Sequence, residues 1–178
     1  MDNQTSYRKY AMYLVLFAII LRLNGFFSSL TYDEIWSLEN FANLSVYDIF
    51  TQLKLPNNHP LNTLFIKLVS RLNVDFIFIR LSALLSGIGV VLLLGVVANT
   101  IFKSKITTLV VLIASLFNYP LICFSQVARG YQLQCFLLLL YSVSLLWAYK
   151  SSNIDKKDID ENYKKEVIDA LWELTFKM

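Results

Sequence analysis

The chain has 178 residues, of which 56% are hydrophobic, 15% aromatic and only 16% charged, with a net charge of +3. This composition, together with a mean hydropathy of +0.52, is too apolar for a soluble domain of this size. The positive charges stand at the ends of apolar segments, which argues against a nucleic-acid partner and indicates an integral membrane protein.

Four long apolar segments follow one another along the chain. They cover residues 11–28, 76–102, 106–124 and 131–149. Each has roughly the 20 residues that a helix needs to cross the hydrocarbon core of a bilayer. The sequence therefore predicts that residues 1–150 form an all-α integral membrane protein with about four transmembrane helices, and that the lipid bilayer is its immediate partner.

Basic residues mark three ends of these segments and predict the orientation of the chain. They are Arg8 and Lys9, then Lys103 and Lys105, and finally Lys150, Lys156 and Lys157. Placing all three clusters in the cytoplasm satisfies the positive-inside rule. Both termini are then cytoplasmic, as in a protein of the bacterial inner membrane. Residues 151–178 are expected to form a polar cytoplasmic tail with an amphipathic helix.

The first outer loop, residues 29–75, is predicted to carry short juxtamembrane amphipathic helices. Residues 34–42 place their apolar side chains on one side, and Ser45 with Asp48 has the spacing of a capping box that opens a second helix. Residues 61–72 have one apolar and one polar stripe at helical spacing. The polar stripe consists of Thr63, Lys67, Ser70 and Arg71. We expect this segment to lie in the membrane interface, because counting it as a span would move Lys103 and Lys105 outside.

Titratable side chains gather on the predicted outer side. Asp33 and Glu34 follow the first span, His59 stands before Pro60, and Arg129 lies at the mouth of the fourth span. A carboxylate pair at a membrane surface is costly unless it binds a cation or moves a proton. A base, a polar turn and an arginine together favour chemistry on a phosphate-bearing lipid.

The order of the outer motifs resembles a known family. The motifs are Tyr-Asp-Glu at 32–34, Asn-Asn-His-Pro-Leu at 57–61, Ile-Arg-Leu-Ser-Ala-Leu at 79–84 and Ser-Gln-Val-Ala-Arg-Gly-Tyr at 125–131. From about residue 10 to 150 the chain is similar to the N-terminal part of the polytopic GT-C glycosyltransferases, within them the bacterial family related to protein O-mannosyltransferases and the aminoarabinose transferase of lipid A. It departs from the family pattern at Leu61, where a second proline is usual, and at Val127, where a glutamate is usual.

The resemblance implies transfer of a sugar from a polyprenyl-phosphate donor to an acceptor outside the cytoplasm. By the family pattern Asp33, with Glu34 beside it, would be the catalytic base that activates the acceptor hydroxyl. Arg80 and Arg129 would bind the carrier phosphate. The aromatic side chains His59 and Tyr131 would contact donor or acceptor. Family members are longer and have more spans, so this chain is expected to hold part of a substrate cavity, with a second chain supplying the missing spans.

Each of these residues also has a structural interpretation. The Asp33–Glu34 pair suits the first turn of a helix, where acids favour the dipole. Arg80 can extend its guanidinium to the interface. Arg129 can form a salt bridge that fixes the first loop, and His59 can form a local hydrogen bond. A divalent cation between Asp33 and Glu34 is compatible with the residues, but no ligand spacing indicates a metal site.

An alternative to the enzyme is a small non-catalytic membrane protein, either an assembly partner or a transporter fragment. The two hypotheses make different structural predictions. The enzyme requires Asp33, Arg80 and Arg129 to converge near one outward-facing pocket. The non-catalytic protein predicts dispersed charges, each satisfied locally, and no groove wide enough for a lipid tail.

Overall fold

A computed structural model describes residues 3–51, 58–72 and 74–151. In these ranges the chain is all-helical, as the sequence predicts. The helices are α1 (Asn3–Phe26), α2 (Tyr32–Phe41), α3 (Val46–Thr51), α4 (Pro60–Arg71), α5 (Leu81–Phe102), α6 (Lys105–Phe117), α7 (Tyr119–Ser125) and α8 (Gly130–Ser151), and a 3-10 helix, Phe76–Arg80, leads into α5. The amphipathic helix expected in the tail lies outside the described residues.

Three of these segments are long and apolar enough to cross a membrane. They are Tyr7–Phe26, Phe76–Phe102 and Gly130–Tyr149. A fourth apolar segment, predicted as one span over residues 106–124, is instead two helices, α6 and α7, bent by 61°. The number of spans is therefore three, or four if the bent pair counts as one.

The bend between α6 and α7 has a local cause. Asn118 ends α6 in an extended conformation and caps α7, where its side chain accepts a hydrogen bond from the Leu121 N–H at 3.1 Å. Pro120 follows in the first turn of α7. Since proline has no N–H to donate to the preceding turn, a continuous helix through this position would lose a backbone hydrogen bond. The segment predicted as one span over residues 106–124 is therefore divided into two helices, which count as one broken span or as none.

The long helices pack with α5 in the middle, against α1, α6, α7 and α8. Contacts at both ends show that α5 runs antiparallel to α1, whereas α6 runs parallel to α1. Arg80, at the start of α5, bonds to carbonyls at the end of α1, whereas Lys105, at the start of α6, lies over the ring of Tyr7 near the start of α1. A core cluster of Ala18, Val91, Leu112 and Leu116 joins α1, α5 and α6.

Much of the remaining helix surface is apolar and exposed. Ile20 is 63% exposed on α1, Ile106 is 77% exposed on α6 and Trp147 is 74% exposed on α8. Soluble monomers rarely expose apolar surface of this extent. Together with the length of the helices, these surfaces identify α1, α5 and α8 as candidate membrane-spanning helices.

The described residues between α1 and α5 form a small layer of helices at one end of the long helices. The capping box predicted at Ser45 is confirmed: its hydroxyl accepts from the Asp48 N–H at 3.1 Å and donates to the Asp48 carboxylate at 2.7 Å. A second core cluster, which includes Ala42, Ile66 and Ala128, joins α2, α4 and the link between α7 and α8.

Helix α4 turns part of its polar stripe inward, while Arg71 at its end remains exposed. Thr63 and Lys67 are buried, whereas Leu61, Leu68 and Leu72 are each more than half exposed. The Lys67 ammonium donates to the Ala42 carbonyl at 3.0 Å and also to the Leu44 carbonyl. These bonds satisfy carbonyls at the end of α2 and just beyond it, and the exposed leucines form an apolar face on α4. The location of this face in the membrane interface stays a prediction.

We expect Lys67→Met to lower the free energy of unfolding by about 1–3 kcal/mol, because it leaves two carbonyl groups without their donor. Unfolding of the detergent-solubilised chain by urea measures this loss. Arg71→Met is the matched control, since Arg71 lies on the same helix but is exposed. If both substitutions change the stability equally, the buried ammonium does not hold α2 to α4.

Candidate functional site

A fully buried ion pair between Glu34 and Arg80 lies within this layer of short helices, against the ends of α1 and α5. Neither side chain is exposed to solvent, and the two meet side by side: Arg80 Nε lies 2.7 Å from Glu34 Oε1, and Arg80 Nη2 lies 2.7 Å from Glu34 Oε2. Such bidentate pairing is the strongest geometry available to an arginine and a carboxylate. It fixes the start of α2 against the start of α5.

Arg80 also caps the end of α1. Its Nη1 donates to the carbonyls of Gly25, Phe26 and Ser28 at 2.8–3.1 Å, and its Nη2 donates to the Ser29 carbonyl at 2.8 Å. The last carbonyls of a helix have no partner within the helix. One guanidinium thus satisfies the carbonyls where α1 ends and neutralises Glu34, with every N–H group engaged.

Glu34 is equally occupied. Beyond Arg80, its carboxylate accepts hydrogen bonds from the N–H and hydroxyl of Thr31, at 2.8 and 2.9 Å, and from the Ala128 N–H at 2.7 Å. Burial alone raises the pKa of Glu34, but the hydrogen bonds from Arg80, Thr31 and Ala128 and the charge of Arg80 lower it below its ordinary value. The carboxylate therefore stays ionised and ties α2 to the link between α7 and α8.

This geometry does not support two roles expected from the sequence. Glu34 was a candidate catalytic residue and Arg80 a candidate phosphate ligand, but both are 0% exposed and their polar atoms bond to each other and to the backbone. Arg80 does not extend to the interface either. A signal for the structural role of Glu34 was present in the sequence, since Thr31 and Glu34 have capping-box spacing.

A second ion pair, between Asp33 and Arg129, lies nearer the surface. Arg129 Nη2 stands 2.9 Å from Asp33 Oδ2, and the side chains are 27% and 36% exposed. The Arg129 guanidinium also lies 5.4 Å from the centre of the Tyr131 ring. This contact is one of the two alternatives considered for Arg129, a bridge to the first loop, and it leaves Asp33 the more accessible of the two adjacent carboxylates.

His59 connects α4 to the start of α8. It precedes Pro60 at the N-terminus of α4, and its ring packs edge-on against Tyr131 with 4.8 Å between ring centres. Gly130 lies directly against the His59 side chain, so that a β-carbon at this position would overlap with it. Asn62, which the sequence did not single out, continues this contact by donating to the Ala128 carbonyl at 2.9 Å.

A cleft of about 310 Å³ lies beside His59, between the start of α4 and the first half of α8. His59, Asn62 and Gly130 form its upper part, and Leu133, Leu137 and Leu138 of α8 continue it along the apolar surface of that helix. The cleft therefore has polar side chains at its His59 end and, apart from Gln134, apolar side chains further along α8. This is the shape and polarity that suit a lipid whose head group carries charge.

His59 predicts a pH dependence of stability. Burial, and then the charge of Arg129, lower the pKa of His59 below its ordinary value of 6.5. As the pH falls, His59 therefore takes up a proton in the unfolded chain before it does so in the folded chain. The contribution of neutral His59 to the free energy of unfolding is complete above pH 6.5, and it is lost as the pH drops through the pKa that His59 has in the folded chain.

We expect the melting temperature of the wild-type chain in detergent to fall between about pH 7.5 and about pH 5. His59→Asn removes the only histidine and places a residue favoured at helix N-caps before α4, so it should flatten this dependence. An equal slope in both proteins would show that another group titrates. The Glu34 carboxyl does not interfere, since its lowered pKa places the loss of its contribution at more acidic pH.

Asp33, Arg80 and Arg129, from distant parts of the sequence, thus lie at one end of the molecule, but Arg80 is enclosed and none of the three lines the cleft at His59. Their convergence on one outward-facing pocket stays a prediction. In the described part of the chain, no three His, Cys, Asp or Glu side chains come together as a metal site would require. No family model matches the chain, and neither does any curated protein or any solved structure.

Proposed function

We propose that the chain is part of a membrane glycosyltransferase of the GT-C type, which transfers a sugar from a polyprenyl-phosphate donor to an acceptor on the outer face of the bacterial inner membrane. The observation that carries this proposal is the partly exposed Asp33–Arg129 pair: the charge of Arg129 acts on His59, and Arg129 directly precedes Gly130, which lines the cleft along α8. A carboxylate, a guanidinium and an apolar wall are the three elements that the reaction requires.

Asp33 and Arg129 have separate roles in this reaction. Asp33 accepts the proton of the acceptor hydroxyl while the acceptor oxygen forms a bond to the anomeric carbon. The bond from that carbon to the carrier phosphate breaks, and the bonding electrons leave with the phosphate. Arg129 stabilises the charge on this leaving group, since a guanidinium binds phosphate oxygens in bidentate fashion. The donor phosphate competes with Asp33 for Arg129, so donor binding also releases the base.

The buried pair positions this chemistry without taking part in it. Asp33 lies in the first turn of α2, next to Glu34. Because Glu34 is bonded to Arg80 and to the Ala128 backbone, the first turn of α2 and the residue before Arg129 are held by one carboxylate. The spacing between Asp33 and Arg129 thus depends on the pair beneath them.

Transfer by the full chain in liposomes tests the proposal, with a mixture of polyprenyl-phosphate sugars extracted from bacterial membranes as donor and the same membranes as the source of acceptor. We expect Asp33→Asn to lower the rate by about a hundredfold or more, the usual contribution of a general base. Glu39→Gln, on the exposed face of the same helix, is the matched control and should keep the wild-type rate.

Two results would contradict the proposal. If Asp33→Asn transfers the sugar at the wild-type rate, Asp33 is not the general base. The absence of transfer by the wild-type protein with the fold intact, both alone and together with a chain that supplies the missing spans, would favour the alternative of a non-catalytic membrane protein.

A further inference from the structure

An apolar groove runs between α1 and α6, at the end of the molecule away from Asp33. Its volume is about 410 Å³. The α1 wall consists of Tyr10, Tyr13, Leu14 and Phe17, and the α6 wall consists of Leu109 and Ile113. None of these side chains carries a charge, and the proposed transfer chemistry uses none of them.

The shape of the groove suits a single hydrocarbon chain. The α1 positions 10, 13, 14 and 17 form one continuous stripe at helical spacing, which extends for about 10 Å along the helix axis. This length accommodates roughly eight methylene groups in an extended chain. Tyr10 and Tyr13 are both more than half exposed and stand at the end of the stripe nearest the chain terminus, where amphipathic rings favour the level of lipid head groups.

Positive charge surrounds the open end of the groove. Arg8 and Lys9 are exposed and immediately precede Tyr10, while Lys105 is exposed one helical turn before Leu109. The Lys105 ammonium already lies 5.9 Å from the centre of the Tyr7 ring, so α1 and α6 bring their charges together. In the described part of the chain, every acidic side chain lies within residues 33–75, at the opposite end.

We propose that this groove binds an anionic phospholipid, with one acyl chain between α1 and α6 and the phosphate against Arg8, Lys9 and Lys105. Basic residues beside a groove between membrane helices are the arrangement that anionic head groups recognise. A zwitterionic lipid fits the apolar walls equally well but lacks the charge complementarity. The site lies at the end opposite Asp33 and Arg129, so it is separate from the proposed donor site and does not depend on the proposed function.

Native mass spectrometry of the purified full chain tests this site, with phosphatidylglycerol and phosphatidylcholine of identical acyl chains offered at equal concentration. We expect the wild-type chain to retain one phosphatidylglycerol in preference. Lys105→Gln should lower this retention about fivefold, and Lys9→Gln by a similar factor. Leu109→Trp should displace the lipid by filling the groove while leaving every charge in place.

Two control variants separate specific from general binding. Arg71→Gln removes an exposed charge at the opposite end, and Leu92→Trp adds the same bulk to an exposed position of α5. Both should retain the lipid like the wild type. Equal retention of the two lipids, or equal loss from Leu92→Trp and Leu109→Trp, would overturn the proposal. A third outcome would also overturn it: the wild type retains no lipid but forms dimers, and Leu109→Trp dissociates these dimers. The groove would then bind a second copy of the chain.

Discussion

Arg80→Met is expected to lower the free energy of unfolding by about 3–5 kcal/mol, the cost of removing one partner from a buried ion pair. The substitution leaves the Glu34 carboxylate charged and enclosed, and it also removes the donors from the carbonyls that end α1. Arg80→Lys should recover little of the loss, because an ammonium cannot form the bidentate pair or reach carbonyls on both sides. Urea titration of the chain in detergent, followed by helical circular dichroism, measures these differences.

A double variant distinguishes the two tasks of Arg80. In many proteins, replacing both members of a buried ion pair by apolar side chains restores stability. We expect Glu34→Leu with Arg80→Met to remain destabilised, because the carbonyls of Gly25, Phe26 and Ser29 still lack donors. Arg71→Met, at an exposed position, controls for the loss of an arginine. A double variant as stable as the wild type would show that capping of α1 contributes nothing.

Gly130→Ala is expected to destabilise the chain by about 1–3 kcal/mol, the usual cost of overpacking. A β-carbon here would overlap with the β-carbon of His59, which is fixed to the backbone and cannot rotate away. The change also favours helix formation at the start of α8, but glycine to alanine gains at most about 1 kcal/mol. The clash should therefore dominate, and the separation of α4 from α8 should increase. Thermal unfolding in detergent measures the loss.

Gly95→Ala is the control for this prediction. Its β-carbon would stand 3.1 Å from a terminal methyl group of Leu112, a flexible end that can move, so the substitution should be neutral or slightly stabilising. His59→Gly in the Gly130→Ala background removes the overlapping atom and should recover part of the loss. If the two alanine variants behave alike, close approach between His59 and Gly130 does not determine the packing of α8.

Hydropathy was sufficient to predict the helical class and the approximate extent of the long segments. It failed between α6 and α7, where residues 106–124 read as one apolar run although Pro120 lies inside it. A sum of side-chain hydropathies contains no information on backbone hydrogen bonds, and the break depends on the missing N–H of Pro120 and the capping amide of Asn118.

The different fates of Asp33 and Glu34 could not be predicted from their adjacency. Neighbouring residues on a helix point about 100° apart, so only one of the two can face inward at this site. Which one does so depends on Arg80 and the Ala128 N–H, which lie 46 and 94 positions further along the chain. The motif predicted an acidic pair at the surface, whereas the fold separates it into one buried structural carboxylate and one accessible carboxylate.

Both proposals require Asp33 and Arg129 to lie at one membrane face and the apolar groove between α1 and α6, with its basic residues, to lie at the other face. Labelling by a membrane-impermeant maleimide in intact cells tests it most directly, using Glu39→Cys and Arg8→Cys in a chain whose Cys123 and Cys135 are replaced by alanine. Both probe positions are exposed. The account predicts that Glu39→Cys is labelled from outside and Arg8→Cys only after permeabilisation. Labelling of both positions from the same side would contradict it.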